Sequence, residues 1–248
     1  MNPEAAPPTK QAGRTFVTTH WSVVWNARNG DTRAAEIALE NLCRTYRSAL
    51  YAYVRREGFH AADAEDLTQE FLARFVHKEW LNHLQDQRGR FRSFLLTFLK
   101  NFLRDERDRA GAKKRGSGKA PVSLDAYEAE ERELLGPVDG LTADQIYERR
   151  WALALMARAI ERLREDYAAR DQSALFEQLK DVQPGEHGER SYAQIGSASG
   201  MSEQAVKNAA LTFRRRYARF LRDEIAQTVL ESGQVEEELR HLMQAFTR

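Results

Sequence analysis

The chain has 248 residues, enough for one or two domains; 42% hydrophobic residues can fill a core and 30% charged residues leave a solvated surface. A formal net charge of +1 excludes a simple polycation, so any affinity for nucleic acid must lie in where the charges fall. A single cysteine, Cys43, excludes an intrachain disulfide, no apolar run approaches the roughly 20 residues of a membrane span, and the polar, proline- and alanine-rich N-terminus does not look like a signal peptide, so a cytoplasmic protein is expected.

Ala, Leu, Glu, Arg and Gln dominate, and three of the six prolines lie in the first eight residues. The expected fold is all-α: two helical domains joined by a flexible linker, the second containing a helix-turn-helix. Charge is distributed in blocks. Arg88–Lys119 holds 11 Lys/Arg and 3 Asp/Glu, net +8; Asp125–Glu148 holds 8 Asp/Glu and 1 Arg, net −7; Glu203–Arg222 holds 6 Lys/Arg and 1 Glu, net +5. Two basic blocks around an acidic one suggest two nucleic-acid-binding modules and a spacer, with the acidic segment Asp125–Gly140 shielding the basic surfaces.

Residues 1–14 are predicted to be a disordered tail, and 15–110 the first domain. Thr18 or Thr19 caps a short helix from about Trp21 to Arg28, with Trp21, Val24 and Trp25 on one face. After the turn Asn29-Gly30-Asp31, a long helix spans about Thr32 to Glu57 and buries Ile37, Leu42, Tyr46, Leu50, Tyr53 and Val54, with Gly58 ending it. Cys43 on its apolar face reads as a small buried hydrophobe. A third helix runs from about Ala61 to Leu84, its core stripe Leu67, Phe71, Leu72, Phe75 and Val76. Asp63, Glu65, Asp66, Gln69 and Glu70 crowd its first turns. Such acids favour the helix macrodipole, and they also suit docking to a basic partner. No His stands three or four residues beyond these carboxylates, and the chain has no phosphate loop, Cys/His cluster or nucleophile motif, so no catalytic or metal site and no cofactor are expected.

A polar loop, Gln85–Gly89, leads into a helix from about Phe91 to Arg109. Phe94, Phe98 and Phe102, and Leu95, Leu99 and Leu103, recur every four residues on a buried side, while Arg88, Arg90, Arg92, Lys100, Arg104, Arg107 and Arg109 cluster before it and opposite. A packed helix offering cations, amides and aromatics suits holding an unstacked strand; an ordinary core helix with a solvated basic face has the same pattern. Residues 111–143 are read as the linker, with a short helix at Asp125–Leu135.

The second domain, 144–222, begins with a helix from Gln145 to about Arg164 carrying Ile146, Trp151, Leu155, Ala159 and Leu163. A further helix holds Leu175, Phe176 and Leu179, and His187 sits in an exposed loop. Ser191–Tyr217 has helix-turn-helix spacing: a short helix at Tyr192–Ala198, a turn at Ser199–Met201, Ser202 as N-cap, and a second helix from Glu203 to about Arg222. Val206, Ala210, Phe213, Tyr217 and Phe220 face inward; Gln204, Lys207, Asn208, Arg214 and Arg215 face out, where the first three suit base edges and the arginines suit phosphates. Residues 223–248 form a C-terminal extension, Glu224–Arg248, an amphipathic helix with Ile225, Val229, Val235, Leu239, Leu242 and Phe246 on its apolar face.

Asp63–Phe75 (DAEDLTQEFLARF) followed by Arg88–Glu106 (RGRFRSFLLTFLKNFLRDE) resembles the second conserved domain of bacterial sigma-70-type initiation factors, and Ser191–Tyr217 resembles their fourth. With no room for a third domain, the pattern is similar to the extracytoplasmic-function (ECF) type, over about residues 17–222. The resemblance implies a sigma factor that guides core RNA polymerase to −10 and −35 promoter elements and promotes DNA melting. It places core binding, on the β′ clamp coiled coil, at Asp66, Gln69 and Glu70. It places −10 contacts at Arg88, Arg90, Phe91, Arg92, Ser93, Lys100, Asn101 and Arg104, and −35 contacts at Glu203, Gln204, Lys207, Asn208, Arg214 and Arg215. The β-subunit flap and promoter DNA are the other implied partners, with room for an anti-sigma factor. Gly196 and Ser199 stand where the family commonly has Ala and Leu, so a looser first helix is expected; Thr212 lacks the usual basic residue, and Phe94 replaces a common Trp. The competing function is a helix-turn-helix regulator with a helical partner-binding domain, which would bind duplex DNA without polymerase and open no strands.

Overall fold

The computed structural model describes residues 20–26, 33–76, 90–113, 140–180 and 192–247. These residues build an all-α fold, with no strand among them. The helices are α1 (His20–Asn26), α2 (Arg33–Arg56), α3 (Ala61–Val76), α4 (Phe91–Lys113), α5 (Ala143–Ala168), α6 (Ser173–Leu179), α7 (Tyr192–Ser199), α8 (Glu203–Ala226) and, after the 3₁₀ turn Ser232–Gln234, α9 (Val235–Gln244). The expected tail, residues 1–14, the end of the third helix beyond Val76, Arg88 in the polar loop, the short helix at Asp125–Leu135 and His187 lie outside the described residues.

Each boundary has a local cause. Gly58 adopts φ +93°, a left-handed conformation that costs glycine little, and stops α2 with its amide donating to the Arg55 carbonyl (3.0 Å). Thr142 and Gln145 form a reciprocal capping box at the start of α5. Ser202 caps α8 by accepting the Ala205 amide at 3.2 Å.

α2 is the central rod. On one side it meets α1 and α3, and α4 fills the space between them with Phe91, Phe94, Leu95, Leu99, Phe102 and Leu103. The rings of Phe71, Phe75, Phe94, Phe98 and Phe102 form a connected stack there. Ile37, expected on the buried side of α2, is instead 50% exposed. Ala35, Ala38 and Leu39 around it are buried, so Ile37 lies off the inner face of α2, which small Ala35 and Ala38 occupy in its place.

The opposite side of α2 is covered by α5. Tyr147 of α5 packs against Tyr46 and Tyr53 of α2, and its hydroxyl donates to the Arg92 carbonyl at 3.0 Å. α8 then packs on α5 through Phe213, Phe220 and Ile225, with α6 wedged at Tyr167 and Phe176. The two helical sets expected on either side of residues 111–143 therefore share one continuous apolar core, from Trp21 to Leu242.

The C-terminal extension is two pieces rather than one helix. Ile225 belongs to α8, which outruns its expected end by four residues; the chain reverses through Thr228–Gln234, and α9 folds back onto α5 and α8. At the reversal the backbone carbonyls of Gln227 and Thr228 accept the amides of Trp21 (3.1 Å) and Phe91 (3.2 Å). The C-terminal end of α8 thus meets the N-terminal ends of α1 and α4, an arrangement that opposes unlike ends of helix dipoles.

Candidate polymerase and nucleic-acid interfaces

α3 turns its apolar stripe, Phe71 and Phe75, into the core and leaves Asp66, Gln69 and Glu70 exposed on one outer surface. Neighbouring bonds hold this surface in place. Gln69 donates to Glu65 at 2.7 Å, Glu65 also pairs with Arg47 of α2, and Glu70 pairs with Arg74, which reaches Glu106 of α4 at 3.2 Å. The result is an acidic-amide face on one outer surface of α3, of the kind a basic helical partner can match.

α4 presents a second face. Because its apolar residues recur every three to four positions inward, Ser93, Thr97, Lys100, Asn101 and Arg104 fall together on the exposed side. Lys100 reaches Asp144 at the start of α5 at 2.7 Å, and Arg104 lies 3.8 Å from Asp105. Both pairs are solvent-exposed and weak, so the cations remain available to phosphate.

The leading edge of α4 differs from expectation. Phe91, read as a strand-contacting residue, is fully enclosed, with its ring edge-on to Trp21 and Tyr46 at 5.0 Å and to Phe75 at 6.1 Å. Arg92 is also buried. Its guanidinium donates to Glu238 of α9 (2.8 Å) and to Glu148 of α5, and lies 5.1 Å from the Trp151 ring centre. Burial works against its charge, but hydrogen bonding to Glu238 and the charges of Glu148 and Glu238 outweigh it, so Arg92 holds its proton above the ordinary arginine value. Arg90 pairs with both Glu237 and Glu238. In this structure Phe91 is core, and Arg90 and Arg92 are engaged by carboxylates.

Those carboxylates were missed in the sequence. The signal was present: with Val235, Leu239 and Leu242 marking the inner face of α9, Glu238 falls on that same face, where an acid is anomalous unless a cation meets it. The same pattern occurs at Glu224. It lies within the apolar stripe of α8 and accepts from Arg158 (2.7 Å) and Arg162 (3.0 Å) of α5.

α7 and α8 form the helix-turn-helix. Gly200 turns the chain with φ +67°, and the Met201 amide donates to the Gly196 carbonyl at 2.9 Å. A Cβ added at Gly196 would stand 2.6 Å from the Met201 carbonyl oxygen. Gly196 thus permits a close approach of helix and turn, where a looser helix had been expected. Ser199 bonds the Ile195 carbonyl within α7 (2.6 Å), using a hydroxyl where the family's leucine would pack. On the outer face of α8, Glu203, Gln204, Lys207, Asn208, Thr212 and Arg215 are exposed, and Arg214 is half-buried. Lys207 pairs with Glu203 (2.7 Å), and Gln204 donates to Asn208 (3.3 Å). The inner face, Val206, Ala210 and Phe213, rests on α5 to α7.

Among the described residues no helix is long and apolar enough to cross a membrane, and no group of three or more His, Cys, Asp or Glu stands where it can hold a metal ion.

Comparison with known proteins adds one match. Residues 42–113 match the family model described as Sigma-70 region 2, a stretch that runs from the middle of α2 through α3 to the end of α4 and holds both the acidic-amide face and the basic face. No curated protein and no solved structure matches the chain. The matched family is one of non-enzymatic transcription initiation factors. Over residues 42–113 the chain is thus similar to sigma-70 region 2, which supports a sigma-70 family role in promoter recognition and melting.

Proposed function

We propose that this protein is a sigma factor of the ECF type, which docks on core RNA polymerase through α3, engages the −10 element with α4 and reads the −35 element with α8. The observation that carries the reading is the pairing, in one chain, of a region 2 match with a tight helix-turn-helix outside the matched residues. Asp66, Gln69 and Glu70 form the surface for the β′ clamp coiled coil. Ser93, Lys100, Asn101 and Arg104, with Arg88 and Arg90, track the non-template strand, where stacking and cationic contacts replace part of what the duplex loses. Gln204, Lys207 and Asn208 meet base edges in the major groove; Arg214 and Arg215 meet phosphates, and Glu203 accepts from a base amine. The β flap is the second contact on polymerase.

Reconstitution tests this reading. The chain should co-elute with core polymerase and support transcription from discrete start sites, with permanganate-reactive thymines marking melted DNA. Asp66→Lys with Gln69→Ala should abolish co-elution. Duplex binding without core association or thymine reactivity would identify a helix-turn-helix regulator instead.

A further inference from the structure

We propose that α9 is an autoinhibitory clasp: its Glu237 and Glu238 occupy Arg90 and Arg92 at the head of α4 and keep those cations from a DNA strand until the C-terminal segment is displaced. The inference rests on the promoter-factor reading for the identity of the strand, but not for the existence of the clasp.

The geometry is specific. Arg90 and Arg92 come from the start of α4, Glu237 and Glu238 from the far end of the chain, and both ends converge through four ion pairs or hydrogen bonds. Glu238 is wholly buried; its Oε1 meets both Arg90 and Arg92, and its Oε2 accepts from Arg92 at 2.8 Å. Apolar residues of like size often replace a buried ion pair without loss of stability, so packing alone does not require Glu238 to meet Arg90 and Arg92. Glu148 closes the third side of Arg92 and also meets His241 of α9 at 3.0 Å, so α9 and α5 hold the same guanidinium. A carboxylate pair on two arginines occupies the donors that two phosphodiesters would take. Meanwhile Lys100 and Arg104 on α4 and Gln204, Lys207 and Asn208 on α8 stay exposed, so the clasp covers the two leading cations of α4 and leaves the duplex-facing helix open.

The test measures binding of the full chain, without polymerase, to a fluorescent mixed-sequence single-stranded oligonucleotide across a salt series. Glu237→Gln with Glu238→Gln should raise affinity about tenfold at low salt. Because Arg92 keeps Glu148, freeing Arg90 should steepen the slope of log K against log[salt] by about 0.7, at roughly 0.7 per phosphate contact on a single strand. Adding Arg90→Ala and Arg92→Ala should remove both gains. Because Glu238 is buried, Glu237→Gln alone is the variant safe for folding; its side chain is 57% exposed, and with Glu238 still on Arg90 it should raise affinity at low salt by about two- to threefold. Unchanged affinity and slope in Glu237→Gln and in the double variant would overturn the clasp, leaving the network a structural one. Wild-type failure to support promoter-dependent transcription with core polymerase would instead overturn the proposed function, a result the oligonucleotide assay does not depend on.

Discussion

Replacing Phe91 with alanine separates a core role from a strand-binding one. The Phe91 side chain is fully enclosed, and three aromatic rings surround it edge-on. Emptying such a site typically costs about 3–5 kcal/mol, and edge-to-face ring pairs of about 0.5–1.5 kcal/mol each put this position in the upper half, near 4 kcal/mol. A shift of about 2–4 °C per kcal/mol for a protein of this size gives a fall in melting temperature of about 8–16 °C. The assay is urea and thermal unfolding followed by circular dichroism, with Phe91→Leu as a control that refills most of the volume and costs under about 1.5 kcal/mol. Loss of DNA opening by Phe91→Ala with less than about 1 kcal/mol of destabilisation would refute the reasoning and return Phe91 to a DNA-facing surface.

Other outcomes follow from local geometry. Gly196→Ala should destabilise the helix-turn-helix by about 1–3 kcal/mol through the clash with the Met201 carbonyl, and weaken duplex binding; stabilisation by the usual helix preference for alanine would show that the close approach is absent. Ser202→Ala removes the N-cap of α8 and should cost about 0.5–2 kcal/mol, measured by chemical denaturation. Alkaline unfolding has a defined sign. Burial pushes the Cys43 thiol from 9.0 up to about 12 and raises Tyr46 and Tyr147 above 10.0. These groups contribute stability that is fully present below pH 9–10, where the unfolded chain also keeps its protons, and that is lost as pH rises through their folded values. The last phenolate absorbance, that of Tyr46 and Tyr147, should therefore appear together with loss of helix; complete tyrosine ionisation in a folded chain near pH 10 would contradict it. By the same thiol shift, iodoacetamide at pH 8 should label Cys43 at the rate of global unfolding.

Periodicity made much of this fold legible. The stripe Ile146, Trp151, Leu155, Ala159 and Leu163 is buried as expected, and the turn at Gly200 with its Ser202 cap lies where the spacing put it. What spacing leaves open is which face of a helix meets which neighbour. Phe91 and Arg92 head an amphipathic helix in the sequence, but only tertiary packing shows Trp21 closing over one and Glu238 reaching the other. The basic surface of α4 was expected to be shielded by Asp125–Gly140. That segment lies outside the described residues up to Gly140; among the described residues, acids from α2, α5 and α9 meet α4: Glu57, Asp144, Glu148, Glu237 and Glu238. Charge counting over consecutive residues cannot find a partner some 146 positions away.

The reversal after α8 has a mechanical consequence. With 24 residues, α8 is a rod about 36 Å long; the outward residues Glu203 to Arg215 sit toward one end, and the chain just past its other end is bonded to amides at the starts of α1 and α4. A tilt of about 10° around its middle moves each end by about 3 Å, as much as the full length of those bonds. A lever so anchored does not tilt at one end without tugging the head of α4, so a load on the helix-turn-helix and strain at the start of α4 are mechanically linked.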